Sequence, residues 1–311
     1  MTDLPAPSPE VPPGLGGWDR AERVAALRQR LAQPRALLVP GAPVALVARI
    51  VERAGFEACY ATGAGVANLE WGLADLGLLG AAEMAVQAGR LADATHLPLI
   101  VDADDGYGGP LGVMRTVRHL EAAGAAAVQL EDQAAPKRCG HFDGKRLIGA
   151  DEMVAKLRAA KLAMTDDTVL VARTDAVAVE GLDAALRRAE RYRRAGADVL
   201  FVEAPEDQTQ LERIGAELGE IPLLANVVEG GRTPELDLAD YERLGFRVVL
   251  YANLVLRVML RAADDALGTL AREGHSRSLR DVMLSWTARQ ELVLRDAAGA
   301  LEDWLNQSSE A

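Results

Sequence analysis

The 311-residue chain is half hydrophobic, enough to bury a large core as one α/β barrel or as two ordinary domains. Its formal net charge of −12, from 46 acidic and 34 basic residues, argues against a general nucleic-acid binder, whose affinity comes from neutralising phosphates. Two cysteines make no disulfide framework and point to a reducing cytoplasm, and neither a secretory leader nor an apolar run near the ~20 residues of a membrane span is found.

Residues 1–17, "MTDLPAPSPEVPPGLGG", are rich in proline and poor in large apolar residues, which predicts a disordered or extended tail outside the fold. From Trp18 short apolar runs alternate with stretches of helical period. The runs are residues 36–41, 57–63, 97–104, 126–132, 168–175, 199–204, 222–227 and 247–253. Between them lie helices such as 111–123, where Val113, Val117 and Leu120 form an i, i+4, i+7 stripe and Gly124 supplies the stop. The helix at 182–195 ends the same way at Gly196, and its basic stretch "RRAERYRRAG" (187–196) reads as a solvated face. Eight strand–helix units predict a closed (β/α)8 barrel over residues 18–275. Neither G-x-G-x-x-G after the first strand nor G-x-x-x-x-G-K-[ST] occurs, so both nucleotide fingerprints are absent. A helical extension, 276–311, carries Val282, Trp286, Leu292 and Trp304 past the last barrel helix (254–272), and a neighbouring subunit is the expected surface for it.

Polar residues collect where the apolar strands end: Asp102 and Asp104, Glu131 and Asp132, Arg173 and Asp175, Glu203, and Asn226. In a parallel barrel these are the C-terminal strand ends, where active sites are assembled. Helix capping explains any one of them, but it fits Glu131 and Glu203 poorly. In "VDADDGYGG", Asp102 and Asp104 stand two apart, so on a continuing strand both carboxylates point to one side. Converging hard oxygen ligands with no His or Cys between them suggest Mg²⁺ or Mn²⁺.

The loop after "QLED" contains "PKRCGHFDGK" (136–145). Lys137, Arg138 and His141 would favour a thiolate at Cys139 and make it a competent acid or base near neutral pH. An exposed thiol on a solvated basic loop is the equal alternative. The loop runs from Gln133 to about Ala150, a length common among active-site lids.

With "VDADDGYG" before it and "VARTDAVAVEGLDAA" after it, this loop closely resembles the isocitrate lyase and phosphoenolpyruvate mutase superfamily, from about Leu38 to Arg289. K-[KR]-C-G-H marks its carbon–carbon lyase branch, although the carboxyphosphonoenolpyruvate mutase branch also keeps "KRCGH". Residues 172–204 look most like 2-methylisocitrate lyase. The resemblance implies an (α/β)8 barrel whose last helix packs on a neighbouring subunit, usually in a homotetramer. It implies Mg²⁺ (or Mn²⁺) on Asp102 and Asp104, supported through water by Asp75 and Glu131. Tyr60, Thr62, Gly63 and Ala64 in "YATGAG" would line the end that holds an α-keto acid. Lys137, Gly140, His141, Arg173, Glu203, Asn226, Arg257 and Arg289 would contact a carboxylate substrate or the metal shell.

The expected reaction is retro-aldol (retro-Claisen) cleavage of a 2-hydroxy di- or tricarboxylate, best 2-methylisocitrate to pyruvate and succinate. Tyr60 would take the hydroxyl proton and Cys139 would protonate the carbanion. Three departures bear on the substrate: Thr62 and Ala64 replace Ser and Gly, and Phe142 stands where methylisocitrate lyases commonly carry Arg or Leu. Oxaloacetate hydrolase, alkylmalate lyase and carboxyphosphonoenolpyruvate phosphonomutase are the alternatives on this scaffold. A silent dicarboxylate-binding barrel is a further one, and it predicts missing ligands.

Overall fold

The computed structural model describes residues 11–16, 18–138, 140, 144–165 and 167–308. In chain order the elements are α1 Arg20–Leu31, β1 Leu37–Pro40, α2 Ala45–Arg53, β2 Cys59–Ala61, α3 Gly63–Trp71, α4 Ala81–Ala94, β3 Leu99–Asp102, α5 Pro110–Ala122, β4 Ala127–Glu131, α6 Ala150–Ala163 and β5 Val169–Thr174. There follow α7 Val177–Glu180, α8 Leu182–Arg194, β6 Val199–Val202, α9 Gln208–Leu218, β7 Leu223–Asn226, α10 Leu238–Arg243, β8 Phe246–Tyr251 and α11 Leu254–Glu273. A 3₁₀ turn at Arg277–Val282, α12 Trp286–Leu292 and α13 Arg295–Ser308 complete it.

The eight strands are parallel and run β1-β8-β7-β6-β5-β4-β3-β2 around one sheet. A bridge between Gly41 and Tyr60 joins the two edge strands, so the sheet is a nearly closed (β/α)8 barrel, as the rhythm of apolar runs predicts. Gly41 is required at that seam, because a Cβ there would lie 2.0 Å from the Ala252 carbonyl oxygen.

Both faces of every strand are covered, which is why the strands read as continuous apolar runs rather than alternating ones. Leu37, Val39, Tyr60, Ile100, Ala127, Val169, Val171, Val199, Phe201, Leu224, Val248 and Leu250 fill the barrel interior. Val24, Leu27 and Leu31 of α1 join this cluster and plug the end where the strands begin. Asp19 starts α1 by accepting the Ala21 N–H. A second core, from Ala36 to Val249, lies between the strands and the outer helices.

Three local expectations change. Most of the 1–17 tail lies outside the described residues, but Pro12 is buried and the Pro13 carbonyl accepts from Arg49 of α2, so its end packs on the barrel. The basic stretch of α8 is not wholly solvated, since Arg188 is buried and pairs with Asp132 and Glu180. The strand bearing Asp102 also stops there: Asp104 has φ +47°, a left-handed turn rather than a continuing strand.

Candidate active site

Strand parity builds the site. Counting every second residue upward along the barrel interior gives Ile100 then Asp102, Ala127 then Gln129 then Glu131, and Val169 then Val171 then Arg173. The same count gives Val199, Phe201 and Glu203, then Leu224 and Asn226. The apolar interior therefore ends in a polar top layer, and each residue of that layer was expected from its strand. Asp102, Glu131, Arg173, Glu203 and Asn226 line one cavity with Tyr60, Thr62, Ala64, Asp75, Lys137, Arg138, Gly140 and Asn253.

Asp102 is held from three sides. Its Oδ2 accepts from the Gly63 N–H at 3.3 Å, and its Oδ1 accepts from Gln129 Nε2 at 3.2 Å and the Asp104 N–H at 3.3 Å. The left-handed turn at Asp104 replaces the expected strand continuation, yet it still brings both carboxylates to Gly63: a Cβ there would be 3.2 Å from Asp102 Oδ2 and 3.3 Å from Asp104 Oδ1. Lys137 Nζ sits 2.9 Å from Asp104 Oδ1 and 2.5 Å from Asp75 Oδ1.

Arg173 spans the other side. Its Nε is 2.8 Å from Asp175 Oδ2 and 3.2 Å from Glu131 Oε2, and its Nη2 is 4.0 Å from Glu203 Oε1. Phe201 lies beneath the guanidinium, 5.1 Å from ring centroid to Cζ. Asn226 Nδ2 donates to Glu203 Oε1 at 3.3 Å.

Burial sets the protonation here. It pushes the Asp104 carboxyl up to about 7, with the neighbouring Asp102 charge adding to the rise and Lys137 opposing it. Burial likewise drives Glu131 well above the usual carboxylate range despite Arg173. The Tyr60 hydroxyl is driven far upward by burial, with Asp102, Glu131 and Glu203 adding to it. Arg173 and Lys145 hold Asp175 below its ordinary value against its burial.

The residues fit a divalent ion. Asp75, Asp102, Asp104, Glu131, Asp175 and Glu203 are set against Lys137, Lys145 and Arg173, so carboxylates outnumber the buried cations among the described residues. Glu131 Oε1 and Asn226 Oδ1 are buried oxygens without a hydrogen-bond partner among them. The donors are hard oxygens, suited to Mg²⁺ or Mn²⁺. No three of the described His, Cys, Asp and Glu side chains are already gathered as a ligand set. Two direct protein donors, with water and substrate completing the shell, are compatible with that arrangement.

Other expected residues stand apart. Cys139, His141 and Phe142 lie outside the described residues. Arg257 donates to the Glu229 carbonyl at 2.8 Å and is half exposed at the rim, and Arg289 stacks on Trp286 of α12 at 4.0 Å; neither lines the cavity. Thr62 also caps α3, accepting from the Gly65 N–H. Gln129 was missed, although its parity with Glu131 in "AAVQLED" marks it as an interior residue. A wider cleft beyond the ends of α2 and α4, between Pro12, Arg49, His96 and Leu292, has no comparable carboxylate set.

Residues 27–271 match the family described as phosphoenolpyruvate phosphomutase. A 2,3-dimethylmalate lyase from Eubacterium barkeri is 38% identical over 270 residues, covering 86% of this chain and 93% of that protein. A 2-methylisocitrate lyase from Shewanella oneidensis is 41% identical over 281 residues, covering 90% of this chain and 95% of that protein. Among solved structures, a phosphonopyruvate hydrolase in complex with oxalate and Mg²⁺ superposes with a TM-score of 0.82 at 28% identity, covering 90% of this chain and 98% of that one.

Proposed function

Since the chain belongs to the phosphoenolpyruvate mutase and isocitrate lyase superfamily, we propose that it is a divalent-metal-dependent carbon–carbon lyase that cleaves 2-methylisocitrate to pyruvate and succinate. The observation that carries the reading is the polar top layer of the barrel, where Asp102, Glu131, Arg173, Glu203 and Asn226 face one cavity, and where the buried oxygens Glu131 Oε1 and Asn226 Oδ1 have no hydrogen-bond partner among the described residues. The likeness to lyases supports bond cleavage between carbons.

Asp102 and Asp104 would hold the ion, with Asp75 and Glu131 behind them. Bound there, it supplies Lewis acidity to a chelated 2-hydroxyl. The burial that keeps Tyr60 protonated changes its expected part: Tyr60 donates a hydrogen bond to the 2-oxygen rather than taking its proton. Glu131, whose Oε1 is without a hydrogen-bond partner among the described residues, would take the hydroxyl proton in its ionised form, which a bound cation would favour against the burial that raises its pKa. The C2–C3 bond then breaks, its electron pair staying on C3 while C2 becomes the ketone of pyruvate. Cys139, adjacent in sequence to the wall residue Gly140, gives its proton to C3 and completes succinate. Lys137, Arg138 and Arg173 supply positive charge to the substrate carboxylates.

The exposed apolar residues of α11, among them Val258, Leu260 and Leu267, support a homo-oligomer in which a second copy lies against that helix. A narrower substrate, 2,3-dimethylmalate, is the second reading, favoured by the first-named relative and by the bulk that Thr62 and Ala64 add to the cavity. A panel of 2-methylisocitrate, 2,3-dimethylmalate, isocitrate, oxaloacetate and phosphonopyruvate, read by NMR of the products, separates these. Fastest release of pyruvate with succinate is expected; oxalate with acetate from oxaloacetate as the dominant reaction would replace the lyase reading.

A further inference from the structure

Lys145 is the last residue of "PKRCGHFDGK", and its side chain turns back into the protein until it is 1% exposed. Nothing in the chemistry proposed above uses it. A buried ammonium costs several kcal/mol unless it is paired and hydrogen-bonded, and an aliphatic side chain would fill the same volume without that cost. Lys145 has both kinds of partner. Its Nζ lies 3.0 Å from Asp175 Oδ1 and donates to the Gly140 carbonyl.

Both partners belong to the wall of the cavity. Gly140 is packed so tightly that a Cβ on it would lie 2.4 Å from both Arg173 Nη2 and Glu203 Oε1. Asp175 holds the Arg173 guanidinium through Nε at 2.8 Å and Nη2 at 3.1 Å, and its own N–H is fixed by Asp132 at 3.0 Å. On the other side of the segment Gln133 holds both backbone groups of Arg138, donating to its carbonyl at 2.8 Å and accepting its N–H at 2.9 Å. The Arg138 backbone is thus fixed by one side chain and the Gly140 carbonyl by another.

We infer that Lys145 is a positioning residue, coupling the Gly140 backbone to Asp175 and so holding this wall against Arg173 and Glu203. It makes no bond to substrate. The inference rests on the reading of this cavity as the lyase site.

The test replaces the ammonium in the full-length, Mg²⁺-loaded protein by Lys145→Met, with Lys145→Gln as the second variant should the first not fold. Two quantities are read: kcat and KM on the best substrate of the panel, and the rate at which trypsin cuts the Arg138–Cys139 bond, followed by mass spectrometry. A kcat about 30-fold lower with KM within about threefold is expected, together with cleavage about tenfold faster. Either rate staying within about threefold of wild type in a folded variant overturns the inference. If the wild-type protein turns over none of the panel, the lyase reading fails and the trypsin rate alone decides the role of Lys145.

Discussion

Asp104 and Gly140 are where single residues decide most. The Asp104 carboxyl stands at about 7 because it is buried beside Asp102, against about 3.9 in an unfolded chain. Its folded value is raised, so the folded protein keeps the proton through the window between those values. Metal-free stability therefore falls as pH rises from about 4 to 7 and is level above that. Asp104→Asn should make the metal-free protein more stable than wild type at pH 8 and give no gain below pH 4, measured by urea denaturation. An ion must displace the same proton, so Mg²⁺ affinity should drop about tenfold per unit below pH 7. Calorimetry in buffers of different ionisation enthalpy counts that proton; a pH-independent affinity would contradict the assignment. At Gly140 the clash is with two cavity side chains, so Gly140→Ala should lower kcat by about 100-fold with little change in thermal midpoint. The residue list was largely legible, because each polar residue ends an apolar run. The roles were less so. Burial among carboxylates keeps Tyr60 protonated, and no one-dimensional pattern carries that information.

Parity within the strands explains why the site could be read as a set. Glu131, Arg173, Glu203 and Asn226 are each two residues above an interior apolar or amide side chain, so a barrel of parallel strands must bring them to one mouth. Residues of the opposite parity do different work. Asp132 and Thr174 point outward, where Asp132 accepts from Thr174 Oγ1 at 2.7 Å, Tyr192 Oη at 2.7 Å and Arg188 Nη1 at 3.3 Å. This knot ties α8 to β4 and β5 behind Arg173. It was hidden in the sequence because Arg188 and Tyr192 sit in a stretch dense in arginine, where only three-dimensional packing separates the buried face from the wet one. Tyr192→Phe removes one donor from a buried carboxylate and should cost about 1–3 kcal/mol in chemical denaturation. A cost below about 0.5 kcal/mol would mean that the remaining donors suffice.

Across the whole molecule the unusual element is α11. It is 20 residues long, and Leu256 is its one buried residue. Val258 is 60% exposed and Leu267 66%, with Leu254, Leu260 and Leu270 also open. Trp286 at 72% and Val282 at 78% continue the apolar surface. Exposed apolar residues in this number are what the proposal of a homo-oligomer rests on. Light scattering after gel filtration should give an oligomer, and Val258→Asp with Leu267→Asp should shift it to monomer; an unshifted mass would place the interface elsewhere. The extension past residue 275 was legible as surplus to a complete barrel, whereas α11 read as the last barrel helix, and its sparse burial shows only in three dimensions.

The central claim is that a divalent ion on Asp102 and Asp104 and the acid–base groups around it break a carbon–carbon bond. Its most direct measurement is the appearance of pyruvate and succinate from 2-methylisocitrate after chelator treatment and dialysis, before and after Mg²⁺ is restored. The account predicts loss of both products in the stripped protein, recovery on Mg²⁺ addition, and no recovery in Asp102→Asn. Undiminished cleavage by the stripped protein, or full recovery in Asp102→Asn, would contradict it.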